Sequence, residues 1–153
     1  MKQLSIIAIA LLAILLPANT ANAQAFNERE AIEKVVDNYI KTINDGDLEL
    51  VGQIWSHADY ATFIGPQGRF VGWEAIRDGI VAGFKNGFTK RDLKKDNLII
   101  NINGNSAWAE FTWTFNSTST SGRTGQSRGR ESQIFEKVNG EWRLVHIHYS
   151  GMR

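Results

Sequence analysis

The sequence predicts an α+β domain, with helices first and an antiparallel β-meander after them. Three observations carry that expectation. Between Asn27 and Trp55 the apolar residues recur at helical spacing, and from Thr89 onward they alternate as residues in strands do. Near the end, Asn139-Gly140 separates two alternating runs, which is the turn chemistry of a β-hairpin.

The first residues have the form of an export signal. Lys2 precedes an apolar run from Leu4 to Leu16, and Ala21-Asn22-Ala23 supplies a small-residue cleavage site before Gln24. The run is short for a membrane span. The expectation is a signal peptide over 1–23, a single domain over 24–153, a periplasmic or secreted product, and no membrane association after cleavage.

Asn27 and Glu30 have the spacing of a capping box, and Ile32, Val35, Val36, Tyr39, Ile40 and Ile43 then fall on one helical face. Asn44-Asp45-Gly46-Asp47 ends that helix, and Asp47 can cap a second, shorter one carrying Leu48, Val51, Ile54 and Trp55. A small hairpin follows, with strands over Tyr60–Ile64 and Arg69–Val71 around the turn residues Gly65 to Gly68. Gly72 to Asn86 reads as a third helix interrupted by Gly79 and Gly83. Strands are then expected over Leu98–Ile102, Ala107–Phe115, Arg130–Val138 and Trp142–Tyr149, with Asn116 to Gly129 as a mobile polar loop.

The chain carries 17 Lys+Arg against 16 Asp+Glu, and removal of Lys2 with the signal leaves 16 against 16. A balanced charge gives no reason to expect nucleic acid or an anionic membrane as partner. Zero cysteines exclude disulfides, thiolate metal sites and cysteine nucleophiles. The basic residues Lys90, Arg91, Lys94, Lys95, Arg123, Arg128 and Arg130 lack interleaved aromatics and read as a solvated face. There is no phosphate-binding loop, dinucleotide fingerprint or nucleophile elbow.

In order and composition, the stretch from Glu131 to Gly151 resembles the end of the association domain of calcium/calmodulin-dependent protein kinase II. There a Gly-Lys-Trp turn leads into His-Phe-His-x-Ser-Gly; here Gly140-Glu141-Trp142 leads into His146-Ile147-His148-Tyr149-Ser150-Gly151. The chain thus resembles the nuclear transport factor 2-like superfamily, which includes ketosteroid isomerase and SnoaL-like proteins. The resemblance implies a cone-shaped fold, with N-terminal helices packed on a curved antiparallel sheet around a pocket. It further implies that Tyr39, Trp55, Phe63, Glu131, Gln133, Phe135, Ile147 and Tyr149 line that pocket.

Tyr39-Ile-Lys-Thr-Ile-Asn-Asp-Gly-Asp47 is similar to the segment of ketosteroid isomerase that holds its oxyanion tyrosine, and Glu131 falls about where that family places a neutral carboxylic acid. The family's basic Asp stands immediately before a proline, where this chain has Gly65 before Pro66. Glycine cannot accept a proton, which argues against steroid isomerisation. Asp59 is the nearest carboxylate that could substitute. The kinase association domain has arginines at the positions of Gln133 and Tyr149, so a carboxylate-binding pocket is not implied here, although Arg77 or Arg130 could supply a charge from elsewhere.

Each candidate has a plainer reading. Tyr39 fits a core aromatic with a tied hydroxyl, and Glu131 fits an edge carboxylate. His146 and His148 share a strand face, but no third ligand completes a metal site, and no cofactor is expected. Strand alternation puts Glu131, Gln133 and Phe135 on one face, and Val145, Ile147 and Tyr149 together on the partner strand. It puts Trp142, Leu144 and Trp108 on the outer face, where an apolar patch calls for a homodimer or larger homo-oligomer.

Two functions follow. One is an exported module that binds a small molecule in the cone or assembles through its sheet. The other is an acid/base enzyme of SnoaL-like or ketosteroid isomerase-like type that uses Glu131 and Tyr39. A partner-binding envelope protein is a third use of such a fold.

Overall fold

The computed structural model describes residues 16–152. The apolar segment expected as an export signal lies, up to residue 15, outside the described residues. Helix α1 spans Leu16–Asp45 and passes through Asn27 instead of starting there. No proline or glycine lies between Ala18 and Asp45, so each added residue extends the hydrogen-bonded ladder without interruption. Ile32, Val36, Tyr39 and Ile43 form its buried stripe.

Gly46, at φ +68°, turns the chain out of α1. Asp47 then caps α2 (Leu48–Ile54), its carboxylate accepting from the backbone N–H groups of Glu49 and Leu50 at 3.1 and 3.0 Å. A short hairpin, β1 (Thr62–Gly65) and β2 (Gly68–Val71), leads to the third helical segment. That segment is α3 (Trp73–Ile76), a π-helical turn over Arg77–Val81, and α4 (Ala82–Gly87). Gly79 sits in the π turn because the Phe70 ring lies against it; a Cβ there would come within 2.4 Å of that ring.

Four long strands complete the chain: β3 (Phe88–Asn103), β4 (Ser106–Ser119), β5 (Thr124–Val138) and β6 (Glu141–Gly151). The sheet runs in the order β2-β1-β6-β5-β4-β3. Its long strands are antiparallel, but β1 pairs parallel to β6, so the sheet is mixed. Register shifts between Asp96 and Ile99 and between Ile134 and Phe135 mark bulges, which bend it around α1.

Two expectations are corrected. The segment Asn116 to Gly129 is no mobile loop: β4 and β5 stay paired from Asn116↔Gln126 up to Thr118↔Thr124, leaving a tight turn at the tip. Its polar side chains bond across strands instead of packing, as in Gln126 Nε2 donating to Asn116 Oδ1 at 2.7 Å, so hydrophobic alternation is missing. The second correction concerns β6. In β6 the chain bulges opposite Ile134 and Phe135 of β5: Phe135 pairs with Leu144 while Ile134 pairs with His146, leaving Val145 as the extra residue. That slip turns Trp142 and Leu144 inward, where both are buried, and takes Val145 out of the core cluster that holds Ile147 and Tyr149. Trp108 does stand exposed on the outer face as expected, with Ile99 and Ile134 beside it.

Candidate functional site

Tyr39 reaches the concave side of the sheet from the middle of the buried α1 stripe. Glu131 and Gln133 meet it from alternate positions of β5, and Tyr149 stands beside Glu131 on β6. A cavity of about 300 Å³ opens above them. Tyr39, Glu131 and Tyr149 line it together with Ile43, Leu93, Phe84, Phe88, Trp113 and Phe115, while Pro66, Gln67, Ser127 and Gly151 complete its wall. Its volume is at the small end for a ligand site.

The other expected pocket residues do not line this cavity. Trp55, Phe63, Gln133, Phe135 and Ile147 are each no more than 2% exposed and fill the core. Large side chains fill that region, and the cavity lies where Phe84 of α4, Phe88 and Leu93 of β3, and Trp113 and Phe115 of β4 form its wall. The aromatic wall from Phe84, Phe88, Trp113 and Phe115 was missed in the sequence. The alternation of Phe111, Trp113 and Phe115 along one strand face was the signal that could have found half of it.

Glu131 is 3% exposed, and burial pushes its carboxyl up to about 8. Gln133 Nε2 donates to Glu131 Oε1 at 2.8 Å, and the Tyr39 hydroxyl lies 3.5 Å from Oε2, the outer limit of a hydrogen bond. Both contacts oppose the shift, and desolvation outweighs them. At neutral pH the acid therefore carries its proton. A neutral Glu131 has an O–H to donate, and the Gln133 amide turned over offers Oε1, which otherwise has no partner among the described residues, to receive it. Burial, with the nearby Glu131, holds the Tyr39 hydroxyl well above its ordinary value. Tyr149 is also raised, by burial, while donating to Gln67 Oε1 at 2.7 Å.

Position 65 shows why no carboxylate stands there. A Cβ on Gly65 would fall 2.3 Å from Cε1 of Tyr149, so the tyrosine ring occupies the space where a side chain would begin. Asp59 is exposed and is not part of the cavity wall. Arg77 bonds its neighbour Asp78 at 2.7 Å, and Arg130 is exposed on the outer face. His146 and His148 also face outward, His146 Nδ1 lying 2.6 Å from Thr62 Oγ1. Among the described residues no group of three His, Cys, Asp or Glu side chains is placed to hold a metal ion. What the arrangement offers chemically is an apolar chamber with one proton-bearing acid and the hydroxyl groups of Tyr39 and Tyr149 beside it.

Comparison with known proteins fits this geometry. Residues 32–153 match the model of the SnoaL-like domain. A nuclear transport factor 2-like superfamily protein from Salmonella enterica serovar Typhimurium is 34% identical, covering 84% of this chain and 94% of that one with a TM-score of 0.81. A candidate scytalone dehydratase from Novosphingobium aromaticivorans is 17% identical, with 86% and 89% covered and a TM-score of 0.76. A candidate calcium/calmodulin-dependent protein kinase II association domain from Xanthomonas campestris is 17% identical, with 79% and 85% covered and a TM-score of 0.66. The last two likenesses show the fold alone. No curated protein matches the chain.

Proposed function

The chain belongs to the SnoaL-like family of the nuclear transport factor 2-like superfamily, and from that premise we propose that it binds a small, largely apolar, uncharged molecule in the cavity beside Glu131. The observation that carries this reading is a carboxyl kept neutral in an apolar chamber of about 300 Å³. Burying such a group costs stability unless something in the chamber uses it. Tyr39 and Glu131 act as hydrogen-bonding groups toward the ligand, and Tyr149 forms the wall at position 65. Native mass spectrometry of protein isolated from its source tests the proposal. The expected result is a small mass increment that disappears on denaturation; no increment, together with no thermal shift across a panel of neutral small molecules, would overturn it.

A second reading, acid/base chemistry on the bound molecule, is favoured by a specific observation: Glu131 titrates near neutrality, at about 8. It could protonate a leaving hydroxyl, the kind of step that the name of the Novosphingobium neighbour suggests. Against it, Tyr39 and Tyr149 are the other titratable groups among the described residues lining the cavity, and both are shifted away from acting as bases. If Glu131→Gln and Tyr39→Phe leave every detectable turnover unchanged, this reading is finished.

Assembly and export complete the proposal. Ile99, Trp108 and Ile134, between 40% and 56% exposed on the outer sheet face, support a homodimer or larger homo-oligomer. A stable monomer in light scattering at micromolar concentration would remove that part. The signal-like pattern from Lys2 to Ala23 supports export, and N-terminal sequencing of exported protein should begin at Gln24.

A further inference from the structure

On the outer face of the sheet the strand register lines side chains into rows. One row runs from β2 to β4 through Val71, Thr62, His146, Ile134 and Trp108. The next runs through Arg69, Ile64, His148, Ser132 and Glu110. Phe70 lies against Gly79 on the concave side, so alternation puts Arg69 and Val71 outside. Val71, Ile134 and Trp108 are exposed apolar surface. Arg69 and Glu110 carry the formal charges of these two rows, and neither forms an ion pair among the described residues.

The pattern is self-complementary about β6. Arg69 and Glu110 stand two strands to either side of it, each about 10 Å away, with Val71 and Trp108 in the same two columns. A half-turn about an axis along β6 lays this face on the same face of a second copy. It sets Arg69 over Glu110 of the partner subunit, Val71 over Trp108 of the partner subunit, and Thr62 over Ile134 of the partner subunit. Each contact is made twice. The strands of the two sheets stay aligned, the arrangement in which sheets stack about 10 Å apart. Charge meets opposite charge and apolar surface is covered, which names a second copy as the occupant.

His146 and His148 lie on that axis, so each faces its own counterpart. His146 is half-buried, with Nδ1 2.6 Å from Thr62 Oγ1, and burial followed by the neighbouring His148 holds its pKa below the ordinary imidazole value. A second sheet over it deepens that burial. Arg130 and Glu136 are the charged groups outward on β5 in the adjoining rows, Arg143 stands opposite Glu136 on β6, and β1 presents Thr62 and Ile64. Glu136 accepts from the Tyr60 hydroxyl at 2.7 Å and Arg143 bonds Glu141, so among the described residues no carboxylate pairs with either imidazole. Facing imidazoles sit together while neutral and repel once protonated.

We infer that the outer face is a pH-gated contact: it closes on a second copy about β6 at neutral pH and opens in acid, when His146 and His148 gain protons. This rests on the assembly reading above and goes further in naming the register of the two copies and the groups that release it. The separated copies take up these protons more readily than the closed pair, so by linkage the dimer weakens as the pH falls.

Sedimentation velocity over a concentration series, on the unsubstituted chain at pH 7.5 and pH 5.0, reads the dimer dissociation constant, with circular dichroism to show that the fold is kept. The constant should rise at least about tenfold at pH 5.0 and return on neutralisation. His146→Gln with His148→Gln removes the titration, so its constant should change less than about threefold between the two pH values. A charge exchange tests the register at pH 7.5 without touching the histidines. Arg69→Glu alone and Glu110→Arg alone should each weaken the dimer about tenfold, and the two together should restore it to within about threefold. A constant that does not move with pH, or acid release that survives loss of both imidazoles, overturns the switch and leaves assembly standing. A combined exchange that fails to restore the dimer overturns the register in the same way. If the unsubstituted chain is monomeric at pH 7.5 throughout the micromolar range, the assembly reading fails, and this inference with it.

Discussion

Glu131→Gln keeps the shape of the side chain and its hydrogen-bonding positions while removing its titration. In the fold the Glu131 carboxyl holds its proton up to about pH 8, because burial disfavours the charged form. In the unfolded chain it ionises near 4.5. Below pH 4.5 both states carry the proton and the group has no effect on the balance. Between pH 4.5 and about 8 the folded state alone carries it, so stability falls by about 1.4 kcal/mol per pH unit as the pH rises. The loss reaches about 3 kcal/mol at pH 7 and about 5 kcal/mol above pH 8. Urea unfolding followed by tryptophan fluorescence at pH 5, 6 and 7, at one protein concentration, measures the effect. The stability of Glu131→Gln relative to the unsubstituted chain should climb by about 3 kcal/mol from pH 5 to pH 7. Groups such as Glu28, whose pKa is lowered by hydrogen bonds from Lys137 and Trp142, titrate alike in both proteins and drop out of the difference. A difference that stays flat within about 0.5 kcal/mol over this range would falsify the claim that Glu131 is buried and neutral.

Three further perturbations probe how the site is held. Gly65→Ala drives a methyl group to 2.3 Å from the Tyr149 ring, so it should destabilise by about 1–3 kcal/mol in urea and weaken ligand binding through displacement of that ring. Asn44→Ala removes a side chain that accepts from Leu93 N–H at 2.6 Å and donates to Leu93 O at 3.0 Å, joining the end of α1 to β3. It should cost about 2 kcal/mol, with faster hydrogen exchange at the Leu93 amide as the local signature. Asp47→Ala deletes the α2 cap and should cost about 1 kcal/mol in the same urea assay, while Asp47→Asn should recover most of it.

Much of the frame was legible in the residues because it depends on local rules. Gly46 and Asp47 mark the joint between α1 and α2, where one supplies a positive φ and the other a capping carboxylate. Asn139 and Gly140, at φ +52° and +86°, form the hairpin turn that the Asn-Gly pair announces. The face shared by Glu131, Gln133 and Phe135 follows from strand alternation, and all three are buried. The start of α1 was misplaced because a capping box states a preference for beginning a helix, which an uninterrupted upstream segment can override.

The sequence by itself determined the helical stripe from Ile32 to Ile43, the caps and turns, and which face of β5 is turned from water, since each needs only neighbours a few residues away. The tertiary structure decided the parallel pairing of β1 with β6, the bulge at Val145 that carries Trp142 and Leu144 into the core, and the end of the cone that stays open. These depend on strands far apart in the chain. One extra residue in a pairing exchanges inside for outside, and the filling of a cavity depends on volumes contributed by separate elements, which periodicity within any one of them does not encode.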